Sequence, residues 1–348
     1  MKIIIISLAG IGDTLCATPL IAELRKNFPN AVIDVVVMWK GSKDILENNP
    51  NLNNVYHYNI LKDLTKIIKY FKLRKNKYDI SINSYPQSRI EYRLIASLIK
   101  AKKRLSHIYE NWCFLDNHLI NLKINEDYHS HLIENNLKFL NLLNKKQLLK
   151  NHSYQIFLNK KDIEFANKII KLNNLRNKKI IGIHVGSGTT KNLALRRWPI
   201  KNYLELITLI LKDKKNVVLL FGGPEELKDN EYIRKKINNE RVINIKTSNI
   251  RESAAIIKHC DYFISIDTSL MHIAAAMKVK HQIVIETPTF NKTVEPYKRR
   301  YILIKNPLIH GKNLEYYKYD GKGIKMDKKE IKKVMNSIKV KEVFKKIV

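Results

Sequence analysis

Two hydrophobic periods take turns along this chain. Short runs dominated by Ile and Val at 2–8, 31–38, 54–58 and 78–83 are too densely apolar for one helical face, and they predict buried strands. Between them, at 14–28, 40–48 and 61–74, apolar residues recur every three or four positions, which predicts amphipathic helices. The polar stretch 144–153 breaks the pattern. After a predicted helix at 160–173 it resumes, with strands at 179–185, 217–221, 242–244, 262–266 and 282–286 and helices at 200–212, 250–259 and 272–277. Strand–helix alternation of this kind builds a parallel, doubly wound sheet, so the fold class is α/β. At 348 residues the chain fits two such domains, 1–155 and 175–325. A last helix at 327–347, within a C-terminal segment 326–348, is expected to cross back onto the first domain. Ligands of open parallel sheets bind beyond the carboxyl ends of the strands, and two such domains would face each other across a cleft.

Two strand-to-helix turns carry the candidate chemistry. The apolar strand ending in Asp267-Thr268-Ser269 runs straight into an Ala-rich helix with His272 one turn in. Such a turn aims backbone N–H groups and the positive end of a helix dipole at one spot, an arrangement that binds phosphate. The competing reading is a plain helix cap by Asp267 or Thr268. At the other end of the chain, the strand 2–8 feeds a helix through Ala9-Gly10-Ile11-Gly12-Asp13-Thr14. Gly10 and Gly12 resemble the start of a dinucleotide fingerprint, but Leu15 stands where its third glycine belongs. The glycines suit close approach of a ligand, and Asp13 supplies a carboxylate rather than a phosphate cradle.

The formal net charge is +32, from 64 Lys and Arg against 32 Asp and Glu, which favours a polyanionic partner such as nucleic acid or an anionic membrane. Lys, Asn and Ile are frequent throughout, so much of that charge reads as solvated surface. The basic tract 62–77 reads as the wet face of an amphipathic helix. Cys16, Cys113 and Cys260 are widely spaced with no CxxC pair, so neither a disulfide framework nor a zinc site is suggested. No uncharged window reaches a membrane-spanning length and no cleavage pattern follows the first apolar run, so the expected place is the cytoplasm, leaning on a membrane surface.

Five places taken together carry a resemblance: Gly10-Ile11-Gly12-Asp13-Thr14 with Ala17-Thr18-Pro19, His184-Val185-Gly186-Ser187-Gly188, Arg196-Arg197-Trp198-Pro199, Gly222-Gly223-Pro224-Glu225-Glu226, and Asp267-Thr268-Ser269 with His272 and Ala274. In this order the chain resembles the lipopolysaccharide heptosyltransferases, inverting enzymes of glycosyltransferase family 9. The resemblance implies GT-B architecture, two Rossmann-like domains, and transfer of a heptose from ADP-heptose to a lipid-anchored anionic saccharide, with no cofactor and no metal.

By the same resemblance Asp13 matches the general base that takes the proton of the acceptor hydroxyl, the alternative being a cap of the following helix. Arg196, with Arg197 as its neighbour, matches the cation that neutralises the departing nucleoside diphosphate. Asp267, Thr268, Ser269 and His272 match the nucleotide-sugar site, with Gly12, Gly186 and Ser187 at its lips; for 186–188 an ordinary turn is the alternative. Glu226, or Glu225 beside it, matches an acidic position near the ribose. Trp198 reads as an anchor at a helix start with Pro199 in the first turn, and His184 as a satisfied strand-end histidine.

Departures from the pattern are Arg196 where Lys is common, Ser269 where Gly is common, and Glu286-Thr287-Pro288-Thr289 in place of an apolar, glycine-containing entry to Pro-Thr. Ser269 and the Glu286 departure keep open a transferase or epimerase for another nucleotide sugar. A nucleic-acid-binding protein is the reading from another class. It would concentrate base-stacking aromatics and basic residues on one face, whereas the Lys residues here are spread along the chain. No nucleic-acid partner is expected.

Overall fold

The computed structural model describes every residue except Lys62, Thr189 and Val348, together with all side chains of the described residues but that of Leu64. Lys62, in the expected helix 61–74 and the basic tract 62–77, therefore lies outside the described residues, as does Val348 at the end of the segment 326–348. The chain divides into two units, Met1–Phe157 with Tyr319–Gly321, and Leu158–Lys318 with Lys322–Val348.

The first unit holds a six-stranded parallel sheet of β1 (Lys2–Ser7), β2 (Val32–Val37), β3 (Asn54–His57), β4 (Ile80–Asn83), β5 (Lys103–Ile108) and β6 (Leu122–Asn125). Their order is β3-β2-β1-β4-β5-β6, so β1 and β4 are neighbours although their connections leave toward opposite edges. This is the switch point at which open α/β sheets bind ligands. β1 sits there because Ile3, Ile4, Ile5 and Ile6 are fully buried, which is possible only for a strand covered on both faces. The polar stretch 144–153 is drawn onto this unit by Glu23. Its buried carboxylate accepts from the Leu148 N–H (2.9 Å), the Leu149 N–H (2.8 Å) and pairs with His152 Nε2 (2.8 Å). Burial alone would raise the Glu23 pKa, but these donors outweigh it and hold the carboxylate below its ordinary value.

The second unit repeats the plan with β7 (Lys179–His184), β8 (Asn216–Phe221), β9 (Val242–Asn244), β10 (Tyr262–Ser265), β11 (His281–Ile285) and β12 (Ile302–Ile304), in the order β12-β11-β10-β7-β8-β9. Its switch point lies between β7 and β10. The helix Lys160–Leu172 starts on a reciprocal cap, Asn159 Oδ1 accepting from the Asp162 N–H and Asp162 Oδ2 from the Asn159 N–H. It belongs to this unit, where Arg251 Nε donates to Asp162 at 3.0 Å.

The C-terminal segment departs from expectation. Where one helix was expected it forms two, Lys328–Asn336 and Val340–Phe344, and both belong to the second unit. Ile331, Val334, Met335, Ile338, Val340 and Val343 form a continuous apolar stripe that joins Trp198, Leu206 and Ile210 in that unit's core. The Trp198 indole N–H donates to the Ile338 carbonyl at 3.3 Å, and Asn306 Nδ2 to the Val334 carbonyl at 2.9 Å. Only the turn Tyr319–Gly321 belongs to the first unit, where Tyr319 meets Tyr85 edge-on. Among the described residues no helix is long and apolar enough to cross a membrane.

Candidate active site

Each switch point is occupied by the turn that its sequence singled out. In the second unit β7 ends at His184 and β10 runs out through Asp267 and Thr268 into the helix Ser269–Ala276. Thr268 is the extended N-cap residue, yet its hydroxyl caps nothing and instead meets His184 Nδ1 at 3.1 Å, tying the exits of the two strands together. The first-turn N–H groups of Ser269 and Leu270 precede the first intrahelical bond and face outward from the helix end, as an anion site requires. Ser269 is half-buried and His272 buried within this helix.

Asp267 is a hub. Its carboxylate accepts from Thr287 Oγ1 and Thr289 Oγ1, each at 2.5 Å, and pairs with Arg196 Nη1 at 2.8 Å; the same Arg196 nitrogen reaches Thr289 Oγ1. The unusual Thr287-Pro288-Thr289 run thus builds the cradle of Asp267. Glu286 beside it turns the other way and fastens the segment after β12, accepting from the Asn306 N–H (2.7 Å) and pairing with His310 Nδ1 (3.0 Å).

Arg197 points away from Arg196. It donates to Glu226 Oε1 (3.1 Å), the Ser187 carbonyl (3.0 Å) and Asp229 Oδ2 (3.2 Å). The two adjacent arginines therefore serve different carboxylates, and the Nε of each is buried with no hydrogen-bond acceptor among the described residues. A buried, unsatisfied guanidinium donor is costly and is relieved by an anion. Glu226 is the buried member of its acidic pair, whereas the Glu225 side chain is half exposed. Burial would raise the Glu226 pKa, but His184, the Gly223 N–H and Arg197 outweigh it and hold the carboxylate below its usual range. Glu226 occupies the space over Gly186: a Cβ there would fall 2.0 Å from Glu226 Oε1, so only glycine fits. Ser187 spends its hydroxyl on the Leu193 carbonyl at 2.9 Å. Trp198 is fully buried, edge-on to Tyr203, and Pro199 is the N-cap of Ile200–Ile210, one position before the expected first turn.

In the first unit the helix after β1 starts earlier than expected, at Ile11, and places Gly12 and Asp13 in its first turn. Gly10, not Asp13, is the N-cap of this helix; Asp13 is its third residue, its Oδ2 accepting from the Gly10 N–H at 2.7 Å, and it is half-buried at the carboxyl edge of the sheet. The turn is bolted to the exit of β4 by Gln87, whose Oε1 accepts from the Leu8 N–H at 2.9 Å and whose Nε2 donates to the Ile6 carbonyl.

Sequence reasoning missed a polar group at this edge. Glu126, just after β6, accepts from Tyr85 (3.2 Å) and Tyr128 (3.1 Å), and Tyr85 stacks parallel to Tyr109. Burial pushes the Glu126 carboxyl up to about 7, despite the opposing pull of the two tyrosine hydroxyls. Its only sequence signal was the acidic pair Glu126-Asp127 behind a strand that was itself not recognised. Among the described residues no group of three His, Cys, Asp or Glu is placed to hold a metal ion.

The family model of glycosyltransferase family 9 (heptosyltransferase) matches residues 67–322. The chain is 25% identical over 285 residues to lipopolysaccharide heptosyltransferase 3 of Escherichia coli strain K12, covering 77% of each protein. It is 24% identical over 343 residues to lipooligosaccharide heptosyltransferase 2 of Haemophilus ducreyi, covering 92% of this chain and 93% of that one. In fold it is similar to E. coli ADP-heptose lps heptosyltransferase II (TM-score 0.75, 19% identity, 100% and 97% covered). The glycosyl transferase family 9 protein of Veillonella parvula is similar to the same degree (TM-score 0.74, 19% identity, 97% and 96% covered).

Proposed function

The chain belongs to glycosyltransferase family 9, the heptosyltransferase family, and on that premise we propose that it transfers a heptose from ADP-heptose to the inner core of lipopolysaccharide, with inversion and without a metal. The acceptor hydroxyl oxygen attacks the anomeric carbon while Asp13 takes its proton. The bond from that carbon to the diphosphate oxygen breaks and its electron pair leaves with ADP. Arg196 and the first-turn N–H groups of Ser269 and Leu270 meet the charge that gathers on the diphosphate. Thr268, Ser269 and His272 line the phosphate end. Asp267 acts through Arg196, and Glu226, kept ionised, receives the ribose hydroxyls over Gly186, with Gly12, Ser187 and Arg197 shaping the approach.

One observation carries the reading. The Arg196 guanidinium is fixed by Asp267 through a single nitrogen at the N-terminus of Ser269–Ala276, while its Nε is buried without an acceptor among the described residues. A cation so placed can bear the leaving-group charge that a metal bears in other transferases. The enzyme works in the cytoplasm, in peripheral contact with the inner membrane that holds its lipid-anchored acceptor. The test is ADP or UDP release from a panel of nucleotide sugars with a truncated lipopolysaccharide acceptor, followed by the anomeric configuration of the product. ADP-heptose alone should support acceptor-dependent release, with the configuration inverted. Turnover only with another nucleotide sugar overturns the donor, and retention overturns the mechanism.

A further inference from the structure

The basic residues of the tract expected to be the wet face of an amphipathic helix are exposed, and apolar residues are exposed beside them. The helix Ile67–Lys72 is flanked by the tight turns Leu64–Lys66 and Leu73–Asn76, and among the described side chains of 67–76 only Tyr70 and Leu73 are buried. Ile67, Ile68 and Phe71 are left 40%, 54% and 52% exposed. Helical spacing places Ile68, Lys72 and Lys75 in one outward row and Ile67, Phe71 and Arg74 in the next, so each row starts apolar and ends basic. Ile68, Phe71, Lys72, Arg74 and Lys75 line an open groove of about 450 Å³, and the Arg74 guanidinium lies over the Phe71 ring.

Neighbouring elements of the same unit expose further apolar side chains. This helix packs on Ile90–Ile99, which packs on Asp116–Leu119. The middle helix exposes Leu94, and the turn before the last exposes Phe114 (75%) and Leu115 (61%). That turn is held by a fully buried ion pair: Arg93 grips Asp116 through Nε (2.5 Å) and Nη2 (3.0 Å), and Asp116 Oδ2 accepts from the Cys113 N–H (2.9 Å). The apolar tip is held outward by the fold.

We propose that this face of the first unit, centred on Ile68, Phe71, Lys72 and Lys75, docks on an anionic phospholipid surface. Exposed apolar side chains set among ammonium and guanidinium groups suit the headgroup boundary, where the apolar atoms leave water and the charges meet lipid phosphate. Charge complementarity selects this occupant: between 61 and 77 the one acidic residue is Asp63, which is paired with Lys66. The proposal deepens the functional reading by naming the surface that holds the enzyme against the bilayer carrying its acceptor.

The test is co-sedimentation of the full-length protein with phosphatidylethanolamine–phosphatidylglycerol vesicles and with phosphatidylcholine vesicles, alongside ADP release with a soluble truncated acceptor. Binding should require the anionic lipid and weaken with salt. A Lys near an anionic surface contributes about fivefold in affinity, so Lys72→Glu with Lys75→Glu should lower binding roughly 30-fold or more. Ile68→Ser with Phe71→Ser should lower it roughly tenfold. Both pairs should keep wild-type turnover of the soluble acceptor. Wild-type protein that turns over that acceptor but ignores anionic vesicles, or variants that bind as well as wild type, would overturn the docking surface and leave the transferase reading intact. A dimer that seals Ile68 and Phe71, or stronger binding to DNA than to vesicles at equal salt, would also overturn it. Vesicle binding without turnover of any acceptor would instead count against the transferase reading.

Discussion

Replacing Arg196 by Met removes the cation at the mouth of the second switch point and leaves Asp267 behind. The two side chains are 11% and 6% exposed, so the carboxylate stays largely out of water. Removing one partner of a buried pair costs about 3–5 kcal/mol. The hydroxyls of Thr287 and Thr289 still donate to Asp267, which places this case at the lower end, about 3 kcal/mol. For a unit of this size that is a fall of roughly 6–12 °C in the calorimetric transition of the second unit. Turnover should fall further than stability explains, by about 10²–10³ in kcat, if the guanidinium meets the diphosphate charge. The double variant Arg196→Met with Asp267→Asn removes both charges, and it should regain most of the transition temperature while kcat stays low. Two results would refute the reasoning. A single variant with unchanged transition and turnover means the pair matters to neither. A double variant that regains kcat along with stability means Arg196 served only to neutralise Asp267.

Two other predictions follow from the geometry around the glutamates. Gly186→Ala must expel the Glu226 carboxylate, at a cost of about 1–3 kcal/mol, and should raise KM for ADP-heptose more than it lowers kcat; an unchanged KM would separate Glu226 from the nucleotide. Glu126, with a native pKa of about 7 against an ordinary 4.5, holds its proton more tightly folded than unfolded. It therefore contributes stability below pH 4.5 that is lost as pH rises to about 7. Glu126→Gln should match wild type near pH 4 and melt above it near pH 8. Comparing the two proteins at each pH cancels the buried His107, which is pushed down to about 3 by burial and by Lys138 and so works in the opposite direction; a melting difference independent of pH would contradict the assignment.

Most of the architecture was legible because central parallel strands are buried on both faces and read as runs dominated by Ile and Val, as β1, β2 and β7 do. The strands that escaped were β5, β6 and β12. β5 opens with Lys103 and Arg104 and β6 alternates Leu122, Lys123 and Ile124, so neither carries the dense apolar signal of a covered strand, while β12 is apolar throughout but only three residues long. The helix after β1 begins three residues before the apolar periodicity does, since its first turn is Ile11-Gly12-Asp13. At the site, the two turns were legible because a strand, a polar turn and a helix are contiguous in sequence. The division of labour between Arg196 and Arg197 was not: Arg196 meets Asp267 71 residues on and Arg197 meets Glu226 29 residues on, pairings that only strand order creates. The outward face at Ile67, Ile68 and Phe71 was hidden for the same reason, since periodicity says that a helix has an apolar stripe without saying whether anything covers it.

The central claim is that Asp13 is the base of a metal-independent transfer, and acceptor-dependent ADP release in EDTA tests it most directly. Asp13→Asn keeps an oxygen for the Gly10 N–H, so the helix start survives. Wild type should release ADP undiminished by EDTA, and the Asn variant should lose about 10²–10⁴ in kcat at an unchanged melting temperature. A wild type silenced by EDTA and restored by a divalent cation, or an Asn variant that turns over at the wild-type rate, would contradict the account.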